Sequence, residues 1–208
     1  MSVTTSQVCI VDYGSGNIRS VFNIFKSFHG DVKILSGPAD LEGATHIVLP
    51  GVGAFGAAMA KINALSVFPE LCRQVLEKKK WYLGICVGMQ ILADEGFEYG
   101  HNPGLGWIGG SVKKLDAPGL RLPHVGWNNF ENLNEACPIF KGITTQMDFY
   151  YVHSYAFEAR DPKHAAASCV YGTKFTPAVW RENIFGVQFH PEKSQKAGIR
   201  LLENFLGL

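Results

Sequence analysis

Short apolar runs alternate with amphipathic helical patterns as far as residue 94, and this alternation restricts the possible folds more than any other feature of the sequence. The apolar runs predict buried strands at 7–12, 31–35, 46–49 and 81–85. Helical periodicity begins near Ile18 and recurs at 55–65, 67–79 and 87–94. Strands that alternate with helices pair in parallel through right-handed crossovers. The first half therefore predicts a doubly wound α/β sheet, with Pro50 and Gly51 expected to stop the third strand.

The second half is rich in short β-patterns separated by Gly, Pro and Asn, which predicts antiparallel or mixed additions to the sheet. The predicted strands lie at 111–115, 148–157, 165–171, 178–181 and 184–190. A final helix is expected to run from its N-cap, Ser194, to Leu206. No internal repeat or linker interrupts the sequence, so we expect one α/β domain spanning residues 1–208, with a mostly parallel central sheet.

Charge and cysteine usage argue against several classes of function. Lys and Arg number 19 against 18 Asp and Glu, a net charge of +1, so no basic excess favours nucleic acid or an anionic membrane. The five cysteines form no C-x-x-C pair and the seven histidines are scattered, which argues against a disulfide framework and a metal site. Because the sequence has neither a signal-peptide pattern nor a run of about 18 apolar residues, we expect a cytoplasmic location.

One cysteine differs from the others in its surroundings. Cys86 stands between Gly84 and Gly88 in "GICVGMQ", between a predicted strand and a predicted helix. A strand that turns directly into a helix puts its corner residue in a strained conformation, and glycines two positions away relieve the crowding. The helix N-terminus would favour a thiolate there. The alternative for Cys86 is a buried thiol in a tight turn. The remaining four are expected to be core thiols: Cys9, Cys72, Cys137 and Cys169.

A base for this cysteine is found at the end of the last predicted strand. Pro191 biases His190 toward an extended backbone, so Glu192 lies on the same side as the imidazole. The carboxylate can then fix the ring tautomer and support the imidazolium, which completes a Cys86–His190–Glu192 triad. The alternative is a histidine satisfied by local hydrogen bonds.

Six segments, in this order, resemble the triad-type class I glutamine amidotransferases and, within them, the glutaminase subunits of imidazole glycerol phosphate synthase: "DYGSGNIRSV" (12–21), "LPGVGAFG" (49–56), "GICVGMQ" (84–90), "HVGWN" (124–128), "YYVHSY" (150–155) and "HPEKS" (190–194). The resemblance covers almost the whole chain. It implies that Cys86 attacks the side-chain amide of L-glutamine, that His190 protonates the leaving ammonia, and that water hydrolyses the glutamyl thioester. It implies no cofactor.

The resemblance also implies a partner and a role in histidine biosynthesis. Ammonia would pass to a cyclase subunit with a (β/α)8 barrel, the other half of a heterodimer, which makes imidazole glycerol phosphate and an aminoimidazole carboxamide ribonucleotide. The partner's ligand would activate the glutaminase by promoting a peptide flip in the oxyanion strand. Two alternatives stay open: a glutaminase that serves another synthase or hydrolyses γ-glutamyl substrates, and a binding module of the same fold without turnover.

The resemblance assigns further roles by position. The oxyanion hole would be formed by Gly51, Val52, Gly53 and Val87. Glutamine would be bound by Gln90, Glu98, His153, Ser154 and Tyr155. The partner would be contacted by Asn17, Trp127, Tyr150 and Lys193. For some of these residues a structural role is the alternative, because Trp127 and Tyr150 could be core aromatics, Lys193 a solvated charge and Glu98 a loop acid.

Overall fold

The computed structural model describes residues 6–208, and its first half contains the predicted parallel sheet. The parallel strands of this half are β1 (Val8–Ile10), β2 (Val32–Ile34), β3 (His46–Gly51) and β4 (Trp81–Cys86). They lie in the order β2-β1-β3-β4. The intervening helices are α1 (Ile18–Phe28), α2 (Pro38–Gly43), α3 (Phe55–Asn63) and α4 (Phe68–Cys72), the last continued by a π-helical turn (Arg73–Glu77). The doubly wound α/β prediction is confirmed.

The prediction that Pro50 and Gly51 stop the third strand is wrong. β3 continues through both residues and pairs with β4 as far as the register Gly51↔Cys86. Its pairing with β1 ends at Val48, so Pro50 lies beyond the point where β3 has neighbours on both sides. A strand position with one neighbour tolerates the missing N–H of proline.

The helix after Cys86 is shorter than the periodicity predicted. It spans Val87–Gln90 (α5) and does not reach residue 94. The carbonyls of residues 91–93 accept hydrogen bonds from the backbone N–H groups of Leu105, Gly106 and Ile108. In a helix that reached residue 94, the N–H groups of residues 92–94 would donate to carbonyls four residues back. Instead Leu92 and Ala93 donate three residues back, to Met89 O and Gln90 O, and Asp94 donates to Gly110 O, so α5 ends after one turn.

The second half adds antiparallel strands, as predicted, but distributes them over two sheets. Its strands are β5 (Glu95–Gly96), β6 (Asn102–Pro103), β7 (Gly110–Lys114), β8 (His124–Asn129), β9 (Asn132–Leu133), β10 (Asp148–His153), β11 (Tyr155–Ala159), β12 (Ala165–Tyr171), β13 (Thr173–Arg181) and β14 (Ile184–Val187). The predicted strand 148–157 is interrupted at Ser154. Its first part, β10, pairs with β8 in a separate two-stranded sheet, whereas β11 joins the main sheet.

Strand β14 returns the chain to the centre of the main sheet. It runs parallel to β4, with Val187 opposite Ile85, and antiparallel to β13. It ends at Val187, three residues before the predicted end at His190. The parallel pairing with β4 therefore brings the segment that carries His190 next to Cys86, since the carboxyl ends of both strands meet at one edge.

The last helix, α6 (Gln195–Leu206), buries Leu201, Leu202 and Phe205 in the core. Ser194 is the N-cap residue, as predicted, but its side chain makes no capping hydrogen bond to this helix. Its hydroxyl donates to His190 O at 2.6 Å and accepts from Tyr150 N at 3.0 Å. Ser194 therefore fastens the His190 segment to β10.

The main core is continuous from β1 to α6 and contains residues from both halves of the chain. Cys9, Cys137 and Cys169 are buried and Cys72 is half-buried, so the core interpretation holds for three of these four thiols; all five cysteines are unpaired. Within residues 6–208, no helix has the length and apolar character needed to cross a bilayer. The same residues contain no group of three or more His, Cys, Asp or Glu side chains suited to a metal ion.

Candidate active site

Cys86 occupies a strained corner between β4 and α5. Its φ of 55° and ψ of −111° are a conformation that non-glycine residues rarely adopt. A Cβ on Gly84 would collide with Gly88 O, and a Cβ on Gly88 would collide with Leu49 O. Both flanking glycines are therefore required by close backbone approach, as the spacing of the motif predicted.

The thiol opens into a cavity of about 400 Å³ that His190 also lines. His190 Nδ1 lies 2.8 Å from Glu192 Oε1, and the side chains of His190 and Glu192 are only 5% and 1% exposed. Burial would lower the pKa of His190, but the adjacent Cys86 thiol and Glu192 carboxylate outweigh it and raise the pKa to about 9. The imidazole therefore carries a proton at neutral pH, with Nε2 left free of the Glu192 contact.

The oxyanion candidates lie on two sides of Cys86. Gly51 is level with it across the sheet, while Val52 and Gly53 line the cavity. Val87 is the first residue of α5, so its backbone N–H is one of those left without an intrahelical acceptor. Val52, Gly53 and Val87 therefore line the cavity together with the thiol, and Gly51 lies beside Cys86 in the sheet.

Two residues of the "DYGSG" segment support the oxyanion strand. Ser15 Oγ donates to Val52 O at 2.8 Å. The ring of Tyr13 lies behind Gly51, where an added Cβ would meet its hydroxyl. Burial is the main cause that raises the pKa of Tyr13 well above its ordinary value, and the neighbouring Cys86 raises it further. Sequence reasoning did not single out Tyr13 or Ser15.

The five candidates for glutamine binding all line the cavity: Gln90, Glu98, His153, Ser154 and Tyr155. Glu98 Oε2 accepts from Phe55 N at 2.9 Å and so also satisfies the N-terminus of α3. Gln90 Nε2 donates to Tyr155 O at 3.0 Å. The structure thus brings together side chains from the α5 region and from the junction of β10 and β11.

The four interface candidates divide into two positions. Lys193 lines the cavity, and its Nζ lies 5.6 Å from the centre of the Tyr150 ring. Trp127 packs edge-on to Tyr150 at 5.7 Å and is 49% exposed, so it is not a core aromatic. Asn17 is half-buried and lies just before α1. Three candidates therefore form one surface next to the cavity.

Gln188 is a site residue that sequence reasoning missed. It is fully buried, and its Nε2 lies 3.7 Å from Cys86 Sγ. Val152 O, at 3.9 Å, is the sulfur's other neighbour among the described hydrogen bonds. The signal was available, because Gln188 stands two residues before His190 in the predicted strand 184–190, and residues at i and i+2 of a strand share a face.

A pair of buried histidines lies at the cavity, one of them, His153, in its lining. His124 Nδ1 and His153 Nε2 are 3.0 Å apart, and His153 Nδ1 lies 2.9 Å from Tyr155 O. Burial lowers the pKa of each ring from 6.5 to about 4. Burial has the same effect on His46 in β3. All three are therefore neutral at pH 7.

We expect the free energy of unfolding to fall steeply as pH drops from about 6.5 to 4. In this window the unfolded chain binds protons at His46, His124 and His153 that the folded protein excludes. Each ring contributes at most about 1.4 kcal/mol per pH unit. His190 acts oppositely: its stabilisation is fully present below 6.5 and is lost as pH rises through about 9. Urea titrations at about pH 7.5, 6.5, 5.5 and 4.5 measure the slope.

The variant His46→Gln is the control for this titration, because it removes one buried imidazole that lies outside the cavity. This variant should reduce the slope of the unfolding free energy against pH in the acid range by the contribution of one imidazole. An unfolding free energy that stays level across the acid range would contradict the neutral, buried state of these rings.

Comparison with known proteins agrees with this geometry. The family profile described as "Glutamine amidotransferase class-I" matches residues 9–207. The chain is 44% identical over 209 residues to "Imidazole glycerol phosphate synthase subunit HisH" of Rhodospirillum rubrum, an alignment that covers 96% of this chain and 98% of that protein. It is 46% identical over 201 residues to the protein of the same name in Bdellovibrio bacteriovorus, with coverages of 94% and 97%.

Solved structures support the fold. A putative GMP synthase subunit from Thermoplasma acidophilum has a TM-score of 0.74 at 21% identity, covering 98% of this chain and 93% of that one. PurLQS from Thermotoga maritima has a TM-score of 0.75 at 19% identity, with coverages of 98% and 99%. The family match and the nearly full-length sequence relatives together show that this chain belongs to the class-I glutamine amidotransferases, in the group of imidazole glycerol phosphate synthase subunits HisH.

Proposed function

We propose that this chain hydrolyses L-glutamine to glutamate and supplies the released ammonia to a synthase partner. The proposal is carried by one observation: a cysteine at a strained elbow shares a cavity with a buried imidazole that a carboxylate orients. A nucleophile, a base and an orienting group in this arrangement are typical of acyl transfer through a covalent intermediate.

The first half of the reaction forms a thioester. The Cys86 thiolate attacks the side-chain carbonyl carbon of glutamine, and the carbonyl oxygen becomes an oxyanion. Val87 N–H, with backbone N–H groups of the 51–53 segment, is the donor set for that oxyanion. His190, protonated at neutral pH, gives its proton to the amide nitrogen, and ammonia leaves.

The second half regenerates the enzyme. Neutral His190 takes a proton from water, which attacks the thioester carbon; glutamate forms and the Cys86 thiolate leaves. Glu192 stabilises the imidazolium in both steps through its 2.8 Å contact with Nδ1. Gln90, Glu98 and the 153–155 segment hold the α-amino and carboxylate groups of the substrate.

The partner is a cyclase subunit with a (β/α)8 barrel, and the two subunits form a heterodimer in the cytoplasm. Trp127, Tyr150 and Lys193 face it beside the cavity mouth, with Asn17 at a second contact. The barrel joins ammonia to a phosphoribulosyl intermediate, which yields imidazole glycerol phosphate and an aminoimidazole carboxamide ribonucleotide. In this proposal, residues 1–208 act as one amidotransferase domain, and no cofactor is used.

A glutaminase assay of the purified chain, alone and with the cyclase and its ligand, tests this proposal. We expect weak glutamate release from the isolated chain and a rise of at least about tenfold with the liganded partner. Strong turnover in the isolated chain would instead favour an independent γ-glutamyl hydrolase. If glutamate release rose only with a different synthase, the partner would be that synthase. If no glutamate were released under any condition, the proposed glutaminase function would be overturned.

A further inference from the structure

A buried glutamine connects the nucleophile to a proposed substrate-binding residue. The register Val187↔Ile85 places Gln188 level with Cys86 on the neighbouring strand, and Gln188 N donates to Pro177 O at 2.8 Å. Its side chain is fully buried between two partners. Oε1 accepts from Gln90 Nε2 at 3.0 Å, and Nε2 donates to Cys86 Sγ at 3.7 Å.

The direction of both amides is fixed by a backbone carbonyl. Tyr155 O can only accept, so Gln90 must present Nε2 to it, at 3.0 Å. The same nitrogen donates to Gln188 Oε1, which obliges Gln188 to present its own Nε2 to the sulfur. If either side-chain amide were flipped, two donors or two acceptors would face each other in a buried site, which costs free energy. The hydrogen-bond donor at Cys86 is therefore specified by the network.

We propose that Gln188 is a positioning residue for the reaction: it holds the Cys86 sulfur toward the cavity, stabilises its anionic form and keeps Gln90 oriented toward the substrate. A buried N–H aimed at a sulfur stabilises a thiolate more than a thiol, since hydrogen bonds to a charged acceptor are the stronger ones. Gln90 Nε2 is engaged on both sides, so its Oε1 remains to accept from the substrate. This inference deepens the proposed glutaminase function and rests on it.

The test distinguishes the two hydrogen bonds of the Gln188 side-chain amide, one to Gln90 and one to Cys86. Gln188→Glu keeps an oxygen for Gln90 but replaces the donor at the sulfur with an acceptor, whereas Gln188→Met removes both contacts. Alkylation of Cys86 by iodoacetamide, followed on its peptide by mass spectrometry across pH, reports the thiolate without any need for turnover. The titratable groups beside the sulfur, His190 and Tyr13, are unchanged in both variants.

We expect the alkylation midpoint of Gln188→Glu to rise by at least about one pH unit, with a smaller rise for Gln188→Met. In the complex with the partner, kcat should fall at least about tenfold in both variants, and KM should rise more in Gln188→Met because Gln90 loses its partner. The matched control is Gln74→Met, which removes another buried glutamine, bound to Glu70 outside the cavity. It should leave the midpoint and KM unchanged.

Unchanged midpoints in folded Gln188→Glu and Gln188→Met, with parental glutaminase activity intact, would overturn the inference and leave the proposed function standing. If the parent itself released no glutamate, the proposed function would fail instead. If Gln188→Glu does not fold, Gln188→Met is the deciding variant, because it adds no charge. An alkylation midpoint of Gln188→Met equal to that of Gln74→Met would show that Gln188 has only a structural role.

Discussion

Replacing Cys86 with alanine should abolish glutamine-dependent synthesis while the partner continues to use added ammonia. Among residues 6–208, Cys86 is the one cysteine that lines the cavity with His190, so this variant removes the thiol that would form the acyl intermediate. Removal of a nucleophile from a triad costs on the order of 10⁴-fold or more in kcat. Glutamine-dependent and ammonia-dependent product formation by the reconstituted complex are the two measurements.

Cys9→Ala is the matched control, since it removes a buried thiol from β1, where burial raises the pKa of the cysteine to about 12. We expect this variant to lose some stability and keep its glutaminase activity. Loss of ammonia-dependent synthesis in Cys86→Ala would mean that the cysteine maintains the complex. Survival of glutamine-dependent synthesis would place the nucleophile elsewhere.

Gly88→Ala, which adds a single methyl group, should have the second-largest effect on glutaminase activity and should also destabilise the fold. A Cβ there would overlap Leu49 O, a backbone atom of β3 that no rotamer change can move. The clash would push α5 away from the sheet and displace the Cys86 corner. We expect Gly88→Ala to destabilise the fold by about 3 kcal/mol or more and to remove most glutaminase activity. Urea unfolding and the assay with the partner measure the two effects.

Gly30→Ala controls for the loss of glycine as such. Its added Cβ would meet nothing within 4 Å, so stability should change by less than about 1 kcal/mol. A Gly88→Ala variant as stable and active as Gly30→Ala would show that the elbow is not tightly packed.

The parallel half of the fold, the elbow at Cys86 and the contact between His190 and Glu192 could be predicted because their signals are local. Alternating apolar runs and helical periodicity encode the strand-helix units, and the spacing Gly84-x-Cys86-x-Gly88 encodes the corner. The contact between His190 and Glu192 was predicted, but the extended segment expected for it is wrong, because Pro191–Lys193 form a 3-10 turn. These features depend on residues within a few positions of one another.

The features that were mispredicted depend on remote partners. Asp94 N pairs with Gly110 O and so does not continue α5, and the break at Ser154 is decided by two different pairing strands, β8 and β7. The contact between Gln188 and Cys86 spans 102 positions in sequence. No periodicity within a short window contains this information.

The adjacency of β4 and β14 has a consequence for how this site tolerates change. Parallel neighbours in a sheet stand about 4.8 Å apart, whatever lies between them in the chain. Cys86 ends β4 and His190 follows the end of β14, so the pairing of these strands brings the thiol and the imidazole together although roughly 100 residues separate them in the chain. Insertions or deletions in exposed loops of the intervening segment should leave the reacting pair in place, as long as the two strands keep their register.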